Sequence, residues 1–240
     1  GVYASGDSGG GVRTVKYAPD GTPAWTATYT NSSSYLAFQS FAVDNDGNSY
    51  LVPFDLDAKS FVTIQYDING NSVWTNTFKS SPTSIESPSD VAVDASGNIF
   101  VTGSSIDGGT IQFLTIKYAS DGSTLWINPY SLVGSESADR VIIDPQGNVI
   151  VVGDSQGGGA QHKYVIVKYS NSGTLLWTNA IAAANYVGGG VPQVTTDPSG
   201  NVFIVGGTPG AASSAADYTS VKLSSAGVPV WTNRFFESGA

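Results

Sequence analysis

The 240-residue chain has no cysteine, no methionine and a single histidine, and only 12% of its residues are charged. Without cysteine there is no disulfide framework and no thiolate chemistry, so packing alone must hold the fold. His162 stands in a loop-like stretch with no Ser-His-Asp or His-Glu spacing beside it, which leaves zinc and triad chemistry unsupported. Lys and Arg number 10 against 19 Asp and Glu, cluster nowhere, and leave a formal net charge of −9. A scattered acidic surface disfavours nucleic acid and anionic membrane as partners. No apolar run approaches the length that spans a bilayer, so membrane insertion is not expected. No segment keeps a helical period beyond one turn, and the Ala-rich residues 180–184 are too few to hold a helix unaided. Methionine is missing even at position 1, where Gly1 falls in the middle of a repeat; a processed chain or an excerpt of a longer one is expected.

What the chain does contain is repetition. A unit of about fifty residues recurs nearly five times, the signature of a propeller or another stacked array. One copy runs from Val91 through Asp94-Ala95-Ser96-Gly97-Asn98, Ile99-Phe100-Val101-Thr102-Gly103, Ile116-Lys117-Tyr118 and Asp121-Gly122 to Trp126. The same order returns around Asp44, Asp144 and Asp197, and in shortened form at the start of the chain. Every tryptophan (Trp25, Trp74, Trp126, Trp177, Trp231) stands four residues after a glycine (Gly21, Gly70, Gly122, Gly173, Gly227). Stacked units share one core, so a single domain over residues 1–240 is expected, with units near 1–35, 36–84, 85–135, 136–188 and 189–240.

Each full unit reads as four short strands, a to d, rich in β-branched and aromatic residues. In the third copy these are residues 90–94, 98–102, 112–118 and 123–128. The a–b link is Asp-x-x-Gly-Asn, whose Asp bonds backbone N–H groups and whose Gly takes φ > 0 without steric cost. The c–d link is also tight, and its Asp-Gly and Asn-Gly forms predict a type I′ hairpin. The b–c and d–a links are long and differ in every copy. One end of the sheets is therefore uniform and the other variable, and a ligand site is expected on the long-loop face.

The run over residues 91–103, Val-Ala-Val-Asp-Ala-Ser-Gly-Asn-Ile-Phe-Val-Thr-Gly, followed by Thr115-Ile116-Lys117-Tyr118-Ala119-Ser120-Asp121-Gly122 and Trp126, resembles the β-propeller repeat of secreted bacterial proteins, a repeat of the seven-bladed-propeller type. The resemblance covers the whole chain. It implies an all-β propeller of four-stranded antiparallel blades on a secreted or cell-surface protein, serving interaction or spacing and no reaction. Five copies in place of seven leave a five-bladed ring and a piece of a larger one both open. The first copy lacks strand a, since Val2 to Gly6 aligns with Ile99 to Gly103, and the count is nineteen strands. An open strand edge invites pairing. The gap is expected to be filled from outside, by upstream residues or by a neighbouring copy in strand addition, which builds filaments when the rotation does not close.

The recurrent residues read as frame. The Trp positions are expected to pack between blades, and Lys16, Lys117, Lys168 and Lys222 (Gln65 in the second copy) to pair or snorkel beside the turn Asp. Asp44 and Asp46 alternate as in a calcium loop, but only this copy carries the second carboxylate, so turn chemistry is the stronger reading and neither metal nor cofactor is expected. Glycoside cleavage needs paired carboxylates outside the repeat. Asp90 and Asp139 read as matching repeat residues, and Glu86, Glu136 and Asp217 as loop residues without a partner. Asn31-Ser32-Ser33 is an N-glycosylation sequon. The expectation is a non-catalytic structural or interaction module of a secreted or surface bacterial protein, adhesin-like or fibril-forming, whose partners are copies of itself or other protein segments. A second reading is a lectin that holds extracellular glycans with Tyr35, Phe38, Tyr130, Tyr186 and Tyr218. A glycoside hydrolase is the third.

Overall fold

Strands b and c of the repeat are apolar without alternation, as in Ile99-Phe100-Val101 and Val149-Ile150-Val151-Val152, and such runs suit strands covered on both faces. The computed structural model, which describes residues 1–33, 35–132, 134–156, 162–182, 191–209 and 216–235, follows this pattern. The described residues form 19 strands and no helix. The first sheet has three strands, β1 (Val2–Ser8), β2 (Gly11–Tyr17) and β3 (Pro23–Tyr29). The second has β4 (Leu36–Val43), β5 (Ser49–Asp55), β6 (Ser60–Tyr66) and β7 (Ser72–Phe78). The third has β8 (Ile85–Val93), β9 (Ile99–Asp107), β10 (Thr110–Tyr118) and β11 (Thr124–Tyr130). The fourth has β12 (Ser135–Ile143), β13 (Val149–Gln156), β14 (His162–Tyr169) and β15 (Leu175–Ala182). The fifth has β16 (Gln193–Thr196), β17 (Val202–Pro209), β18 (Ala216–Leu223) and β19 (Pro229–Phe235). Within each sheet the strands lie in chain order, and one parallel pair, Ile111 with Ser135, links β10 to β12.

The chain packs as two compact units, residues 1–109 with 115–125 and residues 110–114 with 126–240, so the division falls inside the third sheet. In the first unit Val12, Leu36, Leu51, Val62 and Ile64 interlock as one core. In the second, Ile150, Val152, Ile166, Val202, Ile204 and Leu223 do the same. Strand d alternates instead, exposed then half-buried, because only one of its faces meets a neighbour.

The turns explain the punctuation in the sequence. In Asp94-Ala95-Ser96-Gly97-Asn98, Asp94 Oδ1 accepts the N–H groups of Ser96 and Asn98, both at 2.9 Å, and Oδ2 accepts the Asn98 amide at 2.8 Å. Asp44, Asp144 and Asp197 repeat this network. The c–d hairpins differ from the expected type I′ turn. That turn needs φ > 0 at both central residues, but in Ala119-Ser120-Asp121-Gly122 only Gly122 is left-handed, at φ 85°. Gly122 N–H donates to Ala119 O at 2.9 Å and Ala119 N–H to Ser123 O at 2.8 Å, a three-residue type I turn closed by a glycine bulge. Strand a also starts earlier than expected. β8 and β12 run back to Ile85 and Ser135 across bulges at Ser89 and Asp139, which take up the extra residue.

Candidate functional site

The tryptophans build a joint between consecutive sheets. The indole N–H of Trp25 donates to Ile68 O at 2.9 Å, that of Trp74 to Ser120 O at 3.1 Å, that of Trp126 to Asn171 O at 3.1 Å and that of Trp177 to Ser225 O at 3.0 Å. Each acceptor lies in the c–d turn of the following sheet, and each ring covers that turn's glycine. A Cβ added at Gly70 would meet the Trp25 ring at 2.7 Å, and one at Gly227 the Trp177 ring at 2.6 Å. Two residues after three of these tryptophans, Asn76, Asn128 and Asn179 donate to Gly122 O, Gly173 O and Gly227 O at 2.6, 2.7 and 2.9 Å. Among the described residues no turn lies over Trp231, which packs on Phe203 at 6.2 Å and is 38% exposed.

Lys117, Lys168 and Lys222 of strand c face the Asp of the a–b turn, whereas Lys16 donates to Ile68 O in the c–d turn of the second sheet at 3.0 Å. Lys168 Nζ lies 2.7 Å from Asp144 Oδ2, with both side chains buried. Burial alone would push the Asp144 carboxyl up, but hydrogen bonds from Lys168 and Asn148 hold it below the usual carboxylate range. In the second sheet Gln65 replaces the lysine, and Tyr50 donates its hydroxyl to Asp44 at 2.9 Å. The four hydrogen bonds on Asp44 commit it to the turn, and the described residues contain no group of three or more His, Asp and Glu able to hold a metal ion.

Glu86 and Glu136 are not loop residues. They are fully buried strand residues at one repeat position, opposite Ser105 and Ser155. The d–a connection folds back onto them. Ser80 donates to Glu86 Oε1 through its hydroxyl and, at 3.0 Å, through its N–H, and Leu132 N–H donates to Glu136 Oε1 at 2.7 Å. The second sheet exchanges the pair, placing Leu36 where the others have Glu and Asp55 where they have Ser. Asp55 accepts the Asn31 amide at 2.7 Å and the Ser33 hydroxyl at 2.5 Å, so the sequon asparagine is tied to the frame. One buried carboxylate thus pins the variable loop of each of these three sheets, a pairing across strands that chain order hides.

Asp90 and Asp139 do not match each other. The register places Asp90 opposite Thr102 and Arg140 opposite Val152, so Asp90 corresponds to Arg140, and Asp139 to Ser89. Asp90 accepts the Ser40 hydroxyl at 2.7 Å. Asp139 is half-buried, and desolvation, with Asp154 adding to it, pushes its carboxyl up to about 7, against the pull of Arg140. Tyr164, buried beside Gly206, faces the same carboxylates. This pair of acids departs from the repeat and carries a carboxyl raised toward neutrality, which makes it a candidate for proton transfer.

Two of the aromatics proposed for sugar binding belong to the frame. Phe38 packs on Phe41 at 6.3 Å in the first unit's core. Tyr130 packs on Phe113 at 6.0 Å and holds the strand-d position of Tyr29, Phe78 and Ile181, a frame position. Tyr35 and Tyr218 are exposed, at 45% and 72%, in different units. Tyr186 lies outside the described residues, as do the side chains of Asp217 and His162, although His162 itself begins β14, paired with Gln156.

The free edge of β1 is a second candidate. In the third and fourth sheets, strand a so crowds strand b that a Cβ on Gly103 or Gly153 would lie 2.1 Å from the carbonyl oxygen of Ser87 or Ser137. Gly6 holds this position in β1, and nothing among the described residues lies within 4 Å of where its Cβ would be. A recess of about 230 Å³ follows residues 4–8, with Arg13 and Val15 on its wall.

No family profile and no curated protein matches the sequence. Among solved structures, the chain is similar to a protein from Lactobacillus plantarum (TM-score 0.61, 14% identity, 94% of this chain and 65% of that one). It is also similar to a protein of unknown function from Dyadobacter fermentans (TM-score 0.59, 13% identity, 98% and 74%). A third likeness is to an α-L-arabinofuranosidase from Clostridium thermocellum (TM-score 0.50, 13% identity, 97% and 93%). The chain thus spans slightly less than two thirds of the first of these proteins. These likenesses show the fold alone: an all-β, propeller-like array of antiparallel sheets.

Proposed function

We propose that the chain is a five-bladed propeller-type module whose first blade lacks its innermost strand. In this reading it acts without catalysis, as a structural or interaction part of a secreted or surface bacterial protein, and receives a β-strand from another copy or another protein segment along β1. The observation that carries this is Gly6: the sequence keeps glycine where the third and fourth sheets need it to admit strand a, yet no described residue fills that space. Main-chain pairing along an unfilled edge supplies affinity, and the side-chain recess beside it supplies selectivity. The test is a labelled peptide with the sequence of residues 85–94, strand a of the third sheet, titrated onto the chain. Binding is expected, weakened at least tenfold by Gly6→Val at unchanged thermal stability. No binding, or equal binding by Gly6→Val, overturns the proposal.

A second reading, glycoside cleavage, draws on Asp139. A carboxyl that keeps its proton near neutrality beside another carboxylate has the division of labour that such hydrolysis uses. The likeness to an arabinofuranosidase selects the first substrate to try, an aryl arabinofuranoside. Turnover abolished by Asp139→Asn supports this reading, and absence of turnover removes it.

A further inference from the structure

We infer that the chain binds a primary ammonium group in a cavity between the second and third sheets, at the end that carries the tight turns. The site lies wholly within the first compact unit, apart from β1 and from Asp139.

Strand c carries a lysine in four sheets and Gln65 in the second. In the fourth sheet Lys168 Nζ lies 2.7 Å from Asp144 Oδ2, donates to Ser225 O of the fifth sheet at 3.2 Å and stands 5.8 Å from the Trp177 ring centre. The ammonium thus joins the a–b turn of its own sheet, the c–d turn of the next and the indole between them. The second sheet keeps all three of these groups. Asp44 holds the place of Asp144, and Ser120 O, which accepts the Trp74 indole, holds that of Ser225 O, which accepts the Trp177 indole. Trp74 stands opposite Gln65 in the register as Trp177 stands opposite Lys168. What the second sheet lacks is the ammonium.

Tyr50 and Gln65 replace it incompletely. The Tyr50 hydroxyl donates at 2.9 Å to Asp44 Oδ2, the oxygen that corresponds to the one Lys168 meets, but it brings no charge. Burial, and the Asp44 carboxylate beside it, raise the Tyr50 pKa, so the proton stays on the hydroxyl. Burial alone would push the Asp44 carboxyl up, but hydrogen bonds from Asn48 and Tyr50 hold it below the usual carboxylate range. Because Tyr50 gives its one proton to Asp44, its oxygen can only accept, and the Gln65 amide turns its nitrogen toward it at 3.4 Å. That leaves Gln65 Oε1 on a side chain only 6% exposed, with no donor among the described residues. A buried acceptor without a donor costs stability, and a cation that carries N–H groups removes that cost.

A cavity of about 240 Å³ lies at this place. Asp44, Asp46, Gln65, Asp94 and Ser120 line it, and no lysine or arginine does. The available acceptors are an amide oxygen and a backbone carbonyl beside an indole, while the Asp44 oxygens are committed to the turn. This set suits a monocation that donates N–H groups, and not a divalent metal ion, which needs roughly six oxygen ligands.

The probe is n-butylammonium, titrated calorimetrically onto the whole chain at constant ionic strength. Butyltrimethylammonium serves as a cation of equal charge without an N–H donor. Saturable binding in the millimolar range is expected for the first and none for the second. Gln65→Lys restores the repeat lysine and fills the site from within. It is expected to unfold no earlier than the parent and to weaken n-butylammonium at least tenfold. Gln65→Leu, which removes only the amide, is expected to weaken it as well. A blocked tripeptide with a central lysine separates two sources of the same group. Tighter binding than n-butylammonium assigns the site to a lysine side chain of a protein segment, and equal or weaker binding assigns it to a free amine. No saturable binding of either ammonium probe, equal binding of butyltrimethylammonium, or undiminished binding by Gln65→Lys or Gln65→Leu overturns the proposal.

Discussion

The second and fifth sheets end on the same strand-d signature, Trp74-Thr75-Asn76 and Trp231-Thr232-Asn233, yet among the described residues only the first of these reaches a c–d turn, while Trp231 packs on Phe203 of its own sheet at 6.2 Å. Trp74 covers Gly122 and donates to Ser120 O, and Asn76 donates to Gly122 O, whereas the fifth-sheet counterparts face outward. The contrast teaches that a repeat residue is not structural or functional by identity. Its role depends on whether a turn of another sheet covers it.

The sharpest way to break this comparison is to remove both indoles. Trp74→Ala opens a void between the second and third sheets and leaves the turn carbonyl without its donor. A loss of about 3 kcal/mol is expected by urea unfolding, at the low end for Trp→Ala because the ring is half-buried. Trp231→Ala in the isolated chain is expected to change stability by less than about 0.5 kcal/mol, as exposed positions do. Comparable losses at the two sites would mean that Trp231 is as well covered as Trp74.

The next largest effect contrasts the third sheet with the first. Gly103→Ala drives a methyl group into the Ser87 carbonyl, a backbone atom that cannot swing aside. A cost of about 2 kcal/mol is expected. Gly6→Ala meets nothing within 4 Å, so its unfolding midpoint is expected to stay within measurement error of the parent. Strand addition sharpens the test: with the strand-a peptide bound, Gly6→Ala should begin to behave as Gly103→Ala does.

These pairs also mark how far the sequence could be read. Period, strand order, Asp-x-x-Gly-Asn turns and the three strands of the first sheet were legible because each is a local pattern repeated in chain order. The c–d hairpin was mistaken for type I′ because Asp-Gly serves two turn types, and only backbone φ at Asp121 separates them. Asp90 and Asp139 were matched one residue out of register because a bulge shifts the count, and a one-residue slip exchanges every partner. Glu86 and Glu136 read as loop residues because their partners, Ser80 and Leu132, are set by how the d–a connection folds back, which has no fixed spacing. Tyr130 read as a rim residue because its strand-d alternation, frame on one face and solvent on the other, shows only against the fixed positions of Tyr29 and Phe78.

The smallest expected effect compares the third and fourth sheets, in which Ser89 and Ser104 of the third stand where the fourth has Asp139 and Asp154. In the unfolded chain Asp139 ionises near 3.9, while in the folded chain it keeps its proton to about 7. Between those values the folded state binds more protons than the unfolded one, so stability falls as pH rises from about 4 to about 7 and stays low above. Asp139→Asn carries no charge at any pH and escapes that decline. The variant is therefore expected to match the parent at pH 4 and to exceed it by about 1–2 kcal/mol at pH 8, a figure reduced for the half-exposed carboxyl. Urea unfolding at the two pH values measures the difference. A parallel pH dependence in parent and variant would return Asp139 to the ordinary carboxylates, and with it the fourth sheet to the same structural role as the third, leaving glycoside cleavage without a proton donor.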